Sequence, residues 1–525
     1  MKKIIPALVL PLMITGSTLG LTGCSDVERL VDLMTGVGEL GTLADGSGQT
    51  TIKLEEGITV PTQTGNQPLS SNPLPPLPME DHPYMLDEYS SAGVHGDSYN
   101  SSVSPLPGPL GLNPMTTYQP ALPGDDLAMC TPLLRNLEGL MASVCIAITG
   151  PSQLVLFDPK DNFNVLAQTD IPERKGLTDP AGGWYTRMDQ KGRPVVATPD
   201  QDIRVYDAVK KDQQYQWQVA ETWDLKEHLP EEVSPLDVIP DWQGNYWFMT
   251  GYGQVGYINR KTGSVDVLQL GSEGQEEKFG TAMAVTREAG FILSTRALYR
   301  LEVNKDSTVS IRWQYDYGES STTNGDLTAP TVFDKGRLIA FGLNDGREQG
   351  RTVVLRTTGE SIDNRTVCQQ PMFKPGKSFL DNTMVGYDKS LIVQNNFGGV
   401  FYELVEYEPG LARVDVRDDY SGCDTIWENY TVSSQTPPRL STGDGHVYQY
   451  SRKMGTPEDV HAWYLSAHDF ETGAVSSELF VASGERADNP MLSIDFMPGN
   501  VMVSGVRNGI LVLSDNSQAK PGGEK

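Results

Sequence analysis

With 525 residues, the chain is long enough for several small domains or one large repeat fold. Gly (53) and Pro (35) are abundant, as a turn-rich all-β protein requires. A net charge of −27 repels nucleic acid and anionic headgroups, which argues against phosphate-binding roles and fits a soluble exported protein.

The N-terminus reads as a targeting segment. Lys2 and Lys3 precede an apolar stretch, Ile4 to Leu19, that Pro6, Pro11 and Gly16 interrupt, so it is too short and broken for a membrane span. It ends in Leu21-Thr22-Gly23-Cys24, which resembles the bacterial lipobox. That resemblance implies cleavage after residue 23, lipid on Cys24 and, with Ser25 next, sorting to the outer membrane of a Gram-negative cell. Ser25 and Glu28 have capping-box spacing, and Val27, Leu30, Val31 and Met34 form one apolar stripe, predicting a short amphipathic helix within 24–43.

Residues 44–128 read as a linker. Thirteen prolines lie between Pro61 and Pro123, and proline denies helix and sheet their donors. The expected role is a spacer that lifts the body off the membrane. His95-Gly96-Asp97-Ser98 lies within it. Gly-Asp-Ser is similar to the nucleophile block of one esterase class, but Tyr99 follows where that class has Leu, and the partner Asp-x-x-His is missing near the C-terminus.

Four cysteines follow Cys24, an even number in a chain expected to be exported. We favour Cys130–Cys145, closing a hairpin around Asn136-Leu137-Glu138-Gly139, and Cys368–Cys423, joining neighbouring repeats. Free buried thiols are the alternative. No C-x-x-C pair suggests a metal.

Residues 129–515 hold recurring meanders, with a polar tail at 516–525. The clearest runs from Asp241 to Val265: a turn at Gln243-Gly244-Asn245, a strand Tyr246–Thr250, a second strand Gln254–Asn259, then Thr262-Gly263. Eight copies recur about every 40–50 residues, the spacing of four-stranded propeller blades. A lone meander cannot bury both faces, so the copies must stack around an axis. The eighth ends after its third strand, and a segment around Met115–Ala121 is expected to supply the fourth. The predicted fold is an eight-bladed β-propeller, with seven blades the alternative if the first copy is split. Trp242, Tyr246 and Trp247 are expected to pack between blades.

Several phrases together resemble a family of exported bacterial propeller proteins without an established activity. They include Pro240-Asp241-Trp242-Gln243-Gly244, Ala297-Leu298-Tyr299-Arg300, Thr328-Ala329-Pro330-Thr331, Gln394-Asn395-Asn396-Phe397-Gly398 and Ala412-Arg413-Val414-Asp415 with Cys423 and Trp427. The chain departs from that pattern at Asp381-Asn382-Thr383 and at Gly280-Thr281. More distantly the blades look like those of quinoprotein alcohol dehydrogenases and gluconolactonase-type calcium enzymes.

A propeller's candidate site is the mouth of its channel. The polar residues expected there are Asn324, Asp326, Asn344, Asp345, Asn382, Asn395 and Asn396. Converging amides and carboxylates suit calcium, which takes six to eight oxygens. The competing reading is that Asn and Asp stabilise turns. The histidines show no H-E-x-x-H pair, and no G-x-S-x-G or phosphate loop occurs, so no catalytic residue is assigned. The expected function is an envelope-anchored binding or scaffolding module, accessory to an uptake or assembly system, without a cofactor. The alternative is a calcium-dependent hydrolase or lactonase.

Overall fold

The asparagine and glycine turns do in space what they promise in sequence. In the third repeat Asp241 Oδ1 accepts the amides of Gln243 and Asn245, each at 2.8 Å, which closes the turn. Gly244 takes φ +84°, and a Cβ there would lie 2.5 Å from the Tyr84 ring, so both the conformation and the space require glycine. Pro235–Pro240, Tyr246–Thr250, Gln254–Asn259 and Ser264–Gln269 then pair antiparallel in chain order.

The same four-stranded sheet recurs, and the computed structural model is an eight-bladed β-propeller. It describes residues 39–55, 57–65, 68–86, 92–121, 128–147, 150–174, 181–272, 275–318, 328–359, 362–399, 407–454, 461–489 and 493–516. All belong to one unit, Val37–Lys525; the other, Met1–Gly36, lies outside the described residues. Cys24, most of the expected helix and the tail from 517 lie outside the described residues. The last residues assigned to that helix are extended instead, with Leu43 bridged to Ala482.

Each blade's inner strands are buried on both faces because neighbouring blades stack on them. Pro194–Thr198, Tyr246–Thr250 and Leu338–Leu343 are buried throughout. Outer strands alternate, as Cys423–Asn429 does, with one face on the core and one in water. Trp242 and Trp247 join the main apolar core, and Tyr246 packs in an adjoining cluster under the Arg260 guanidinium at 4.7 Å.

The ring closes as expected. Pro114–Pro120 pairs with Gly509–Asp515 and completes blade 8 as its outer strand. Both expected disulfides are present. Cys130 and Cys145 are ladder partners in blade 1, and Cys368–Cys423 joins the outer strands of blades 5 and 6.

The proline-rich stretch departs most from expectation. In all its described parts it lies on the propeller rather than acting as a spacer. We call the face carrying the turns between first and second strands the back. Residues 72–86 run round it, meeting the blades in descending order. Asn72 and Leu74 amides donate to Asp444 and Thr442 of blade 7. The Tyr387 hydroxyl of blade 6 donates to Pro75 O, Arg287 of blade 4 bonds Glu80, and His82 packs on Trp242 of blade 3. Proline forbids a ladder here but not a laid-down strap, because an extended chain can still donate its remaining amides to turn carbonyls and accept on its own carbonyls.

Candidate functional site

From blade 2 the chain enters the channel. The Met188 amide donates to Ala92 O, and residues 92–104 are all buried. The segment then winds back through the blades in ascending order. Amides of Val285, Val332, Gly386 and Leu440, one each from the inner strands of blades 4 to 7, donate to Ser98, Tyr99, Ser101 and Ser102 carbonyls at 2.7–3.0 Å. Val103–Ser104 finally pairs parallel with Leu440–Ser441. Advancing a blade every residue or two demands a tight coil. Asn100 and Ser102 supply it with φ of 54° and 53°.

Local side chains hold that coil. Asp97 Oδ1 accepts the Tyr99 and Ser101 amides at 2.9 and 3.1 Å, and its Oδ2 accepts the Ser101 hydroxyl. The Asn100 amide donates to Met283 O and Pro330 O at 3.2 and 3.1 Å, tying the coil to the segments entering blades 4 and 5. Gly93 lies so close to Arg187 that a Cβ would meet Nη1 at 2.4 Å.

Two buried ion pairs flank the coil. Arg187–Asp237, 3.1 Å apart, joins the inner strands of blades 2 and 3; Arg439–Asp495, at 3.0 Å, joins blades 7 and 8. Burial pushes the Asp97 and Asp237 carboxyls up and takes Asp495 to about 6, partly offset by Arg439. Burial, with Arg187 and Arg439 nearby, drives His95 down to about 3, so its ring is neutral, with Nε2 3.2 Å from the Thr383 hydroxyl. Ser98 is 1% exposed, which a nucleophile serving an external substrate cannot be. His95-Gly96-Asp97-Ser98 therefore forms the axial coil.

The described residues among those expected at the mouth lie on the front face, where second-to-third-strand loops and interblade loops converge. Asn324 and Asp326 lie outside the described residues. Asn344 clamps Leu380, donating to its carbonyl at 2.7 Å and accepting its amide at 3.0 Å. Asn382 donates to Gln435 O at 2.8 Å. Asn395 accepts from Phe379 and Phe397 and donates to Lys377 O. Asp345 pairs with Arg347 and Arg351. These amides brace one loop against another, mostly far from their own turns in sequence. The Asn396 amide is buried with no partner for either atom.

Asn382 leads to a network that sequence reasoning missed. The Tyr407 hydroxyl donates to Gln435 Oε1 at 3.2 Å, Gln435 donates to Asp488, and Arg507 donates to Asp488 Oδ2 through Nε and Nη2 at 3.1 and 2.8 Å. Burial raises Asp488, offset by Arg507 and Arg452; burial also raises Tyr407, helped by Asp381 and Asp488. Single polar residues from four separate loops meet here, and nothing local in the sequence marks them as partners. The network, whose Tyr407, Gln435 and Asp488 are all buried, fixes the front loops of blades 6 to 8 against one another. Among the described residues no group of three or more His, Cys, Asp or Glu is placed to hold a metal.

No protein-family model and no curated protein matches the chain. Solved structures similar to it are propellers. A catalytically inactive virginiamycin B lyase from Staphylococcus aureus, with quinupristin, gives a TM-score of 0.39 at 10% identity, over 76% of this chain and 99% of that one. A putative 6-phosphogluconolactonase from Bacteroides fragilis gives 0.37 at 9%, over 69% and 97%. The RRP9 WD40 repeats give 0.37 at 9%, over 70% and 100%.

Proposed function

We propose that this chain is a binding or scaffolding module of the cell envelope, lipidated at Cys24, whose front face takes an envelope protein partner of an uptake or assembly system. The observation that supports this reading is the filled channel. Residues 92–104 occupy the axis, where a substrate would otherwise be held among converging blades. What is left to a ligand is surface, and the largely buried Tyr407–Gln435–Asp488–Arg507 network holds the front-face loops of blades 6 to 8 in fixed positions, as recognition without chemistry requires.

The test has two parts. Cells fed an alkynyl fatty acid should label the chain and hold it in the membrane fraction, and Cys24→Ala should abolish both. A photo-crosslinking residue at Lys377 on the front face should give one discrete adduct in intact cells, while one at Lys261 on the back should not. A soluble unlabelled wild type would remove the anchor, and equal adducts from both faces would remove the front-face partner.

A further inference from the structure

The back face of blade 7 carries a polar groove of about 380 Å³. Leu69–Asn72 forms one wall, and His446, Asp469 and Ser476 form the other. The walls are held close by construction. Gly445 has φ +79°, and a Cβ on it would sit 2.1 Å from Asn72 O. Gly65 has φ +98°, and a Cβ there would sit 2.3 Å from Ser476 O. Any side chain at either position would push the wall away.

His446 and Asp469 are direct partners across the antiparallel ladder, so their side chains stand next to each other. The His446 Nδ1 is 3.1 Å from Asp444 O and 3.4 Å from its carboxylate, two acceptors that place a ring proton on Nδ1, so that in the neutral ring Nε2 is the acceptor. Asp444 is itself immobile, accepting from Gly108 and Tyr448 at 2.8 Å each and from the His446 amide at 3.0 Å. Asp469 Oδ1 takes the Thr472 amide and hydroxyl at 2.8 and 2.7 Å. Among the described residues the hydrogen bonds of these two side chains run through His446 Nδ1 and Asp469 Oδ1.

We infer that this groove binds a neutral saccharide, with adjacent hydroxyls donating to His446 Nε2 and Asp469 Oδ2. Two neighbouring acceptors, one anionic, exclude an anionic ligand and ask for adjacent donors. The opposite wall adds the Ser70 and Ser71 hydroxyls and the Asn72 side chain, which donate as well as accept. A hydroxyl can answer both walls, whereas an ammonium can only donate. The site stands apart from the front face and from any partner there.

The test is titration of the full chain with glucose, galactose, N-acetylglucosamine and their disaccharides, followed by saturation-transfer NMR and calorimetry. At least one should bind. Asp469→Ala should weaken it by about tenfold or more, as loss of a charged hydrogen-bond partner does. Ser71→Trp, on an exposed wall, should fill the groove and abolish binding while leaving the melting temperature unchanged. Binding by no saccharide, binding that survives Ser71→Trp, or binding only of amines or divalent cations would overturn the inference.

Discussion

Asn100 offers the sharpest test of the filled channel. It is fully buried, and its amide bridges the Met283 and Pro330 carbonyls at 3.2 and 3.1 Å. Asn100→Ala removes both bonds and leaves two buried carbonyls short of a donor, a loss of about 1 kcal/mol each. Alanine must also hold φ near 54°, where asparagine is tolerated and alanine is not, adding about 1 kcal/mol. The expected total is about 3 kcal/mol, read as a lower urea midpoint at unchanged slope. Asn100→Gly restores the backbone freedom but not the bonds, so it should recover about 1 kcal/mol of that loss. If Asn100→Ala shifted stability by less than about 0.5 kcal/mol, as ordinary surface changes do, the coil would not be holding the axis.

Deleting residues 110–122 removes the outer strand of blade 8 and should lower the melting temperature sharply; an unchanged value would refute the closure. Asp495 has a folded pKa of about 6 against 3.8, so the folded state holds the extra proton between those values. Its stabilising share is complete below about pH 4 and is lost as pH rises through about 6, a decline of about 3 kcal/mol. Asp495→Asn should flatten that part of the pH–stability curve, whatever it does to absolute stability, and an unaltered slope would reject the assignment. Cys368→Ala with Cys423→Ala opens a link spanning 55 residues and should cost about 2–4 kcal/mol, and reductant on the wild type, which also opens Cys130–Cys145, should cost at least as much. No loss on reduction would mean that blades 5 and 6 are held by packing alone.

Much of this was legible in the residues. Asp241-Trp242-Gln243-Gly244-Asn245 announces its own turn, because Asp241 bonds amides two and four residues on and Gly244 alone fits its φ. The blade count and the closing strand near Met115 followed from strand spacing and from an eighth repeat one strand short. The cysteine pairs followed from their places in adjacent strands. The polar mouth was legible only in part. Asn344, Asn382 and Asn395 sit on the front face, where their hydrogen bonds go to loop backbones, partners that no local pattern names.

By itself, then, the sequence determined what short-range forces decide: turns, strand alternation, repeat length and ring closure. Only the tertiary structure decided what fills the ring. Thirteen prolines remove thirteen backbone donors from the stretch, and they leave open which parts pair with a blade, as Pro114–Pro120 does, and which lie across the turns as a strap. Inner-strand amides of blades 4 to 7 face the axis with no further strand to pair with, and a buried amide must find a partner. Ser98, Tyr99, Ser101 and Ser102 supply those partners from far away in sequence, and that long-range requirement is written in no local pattern.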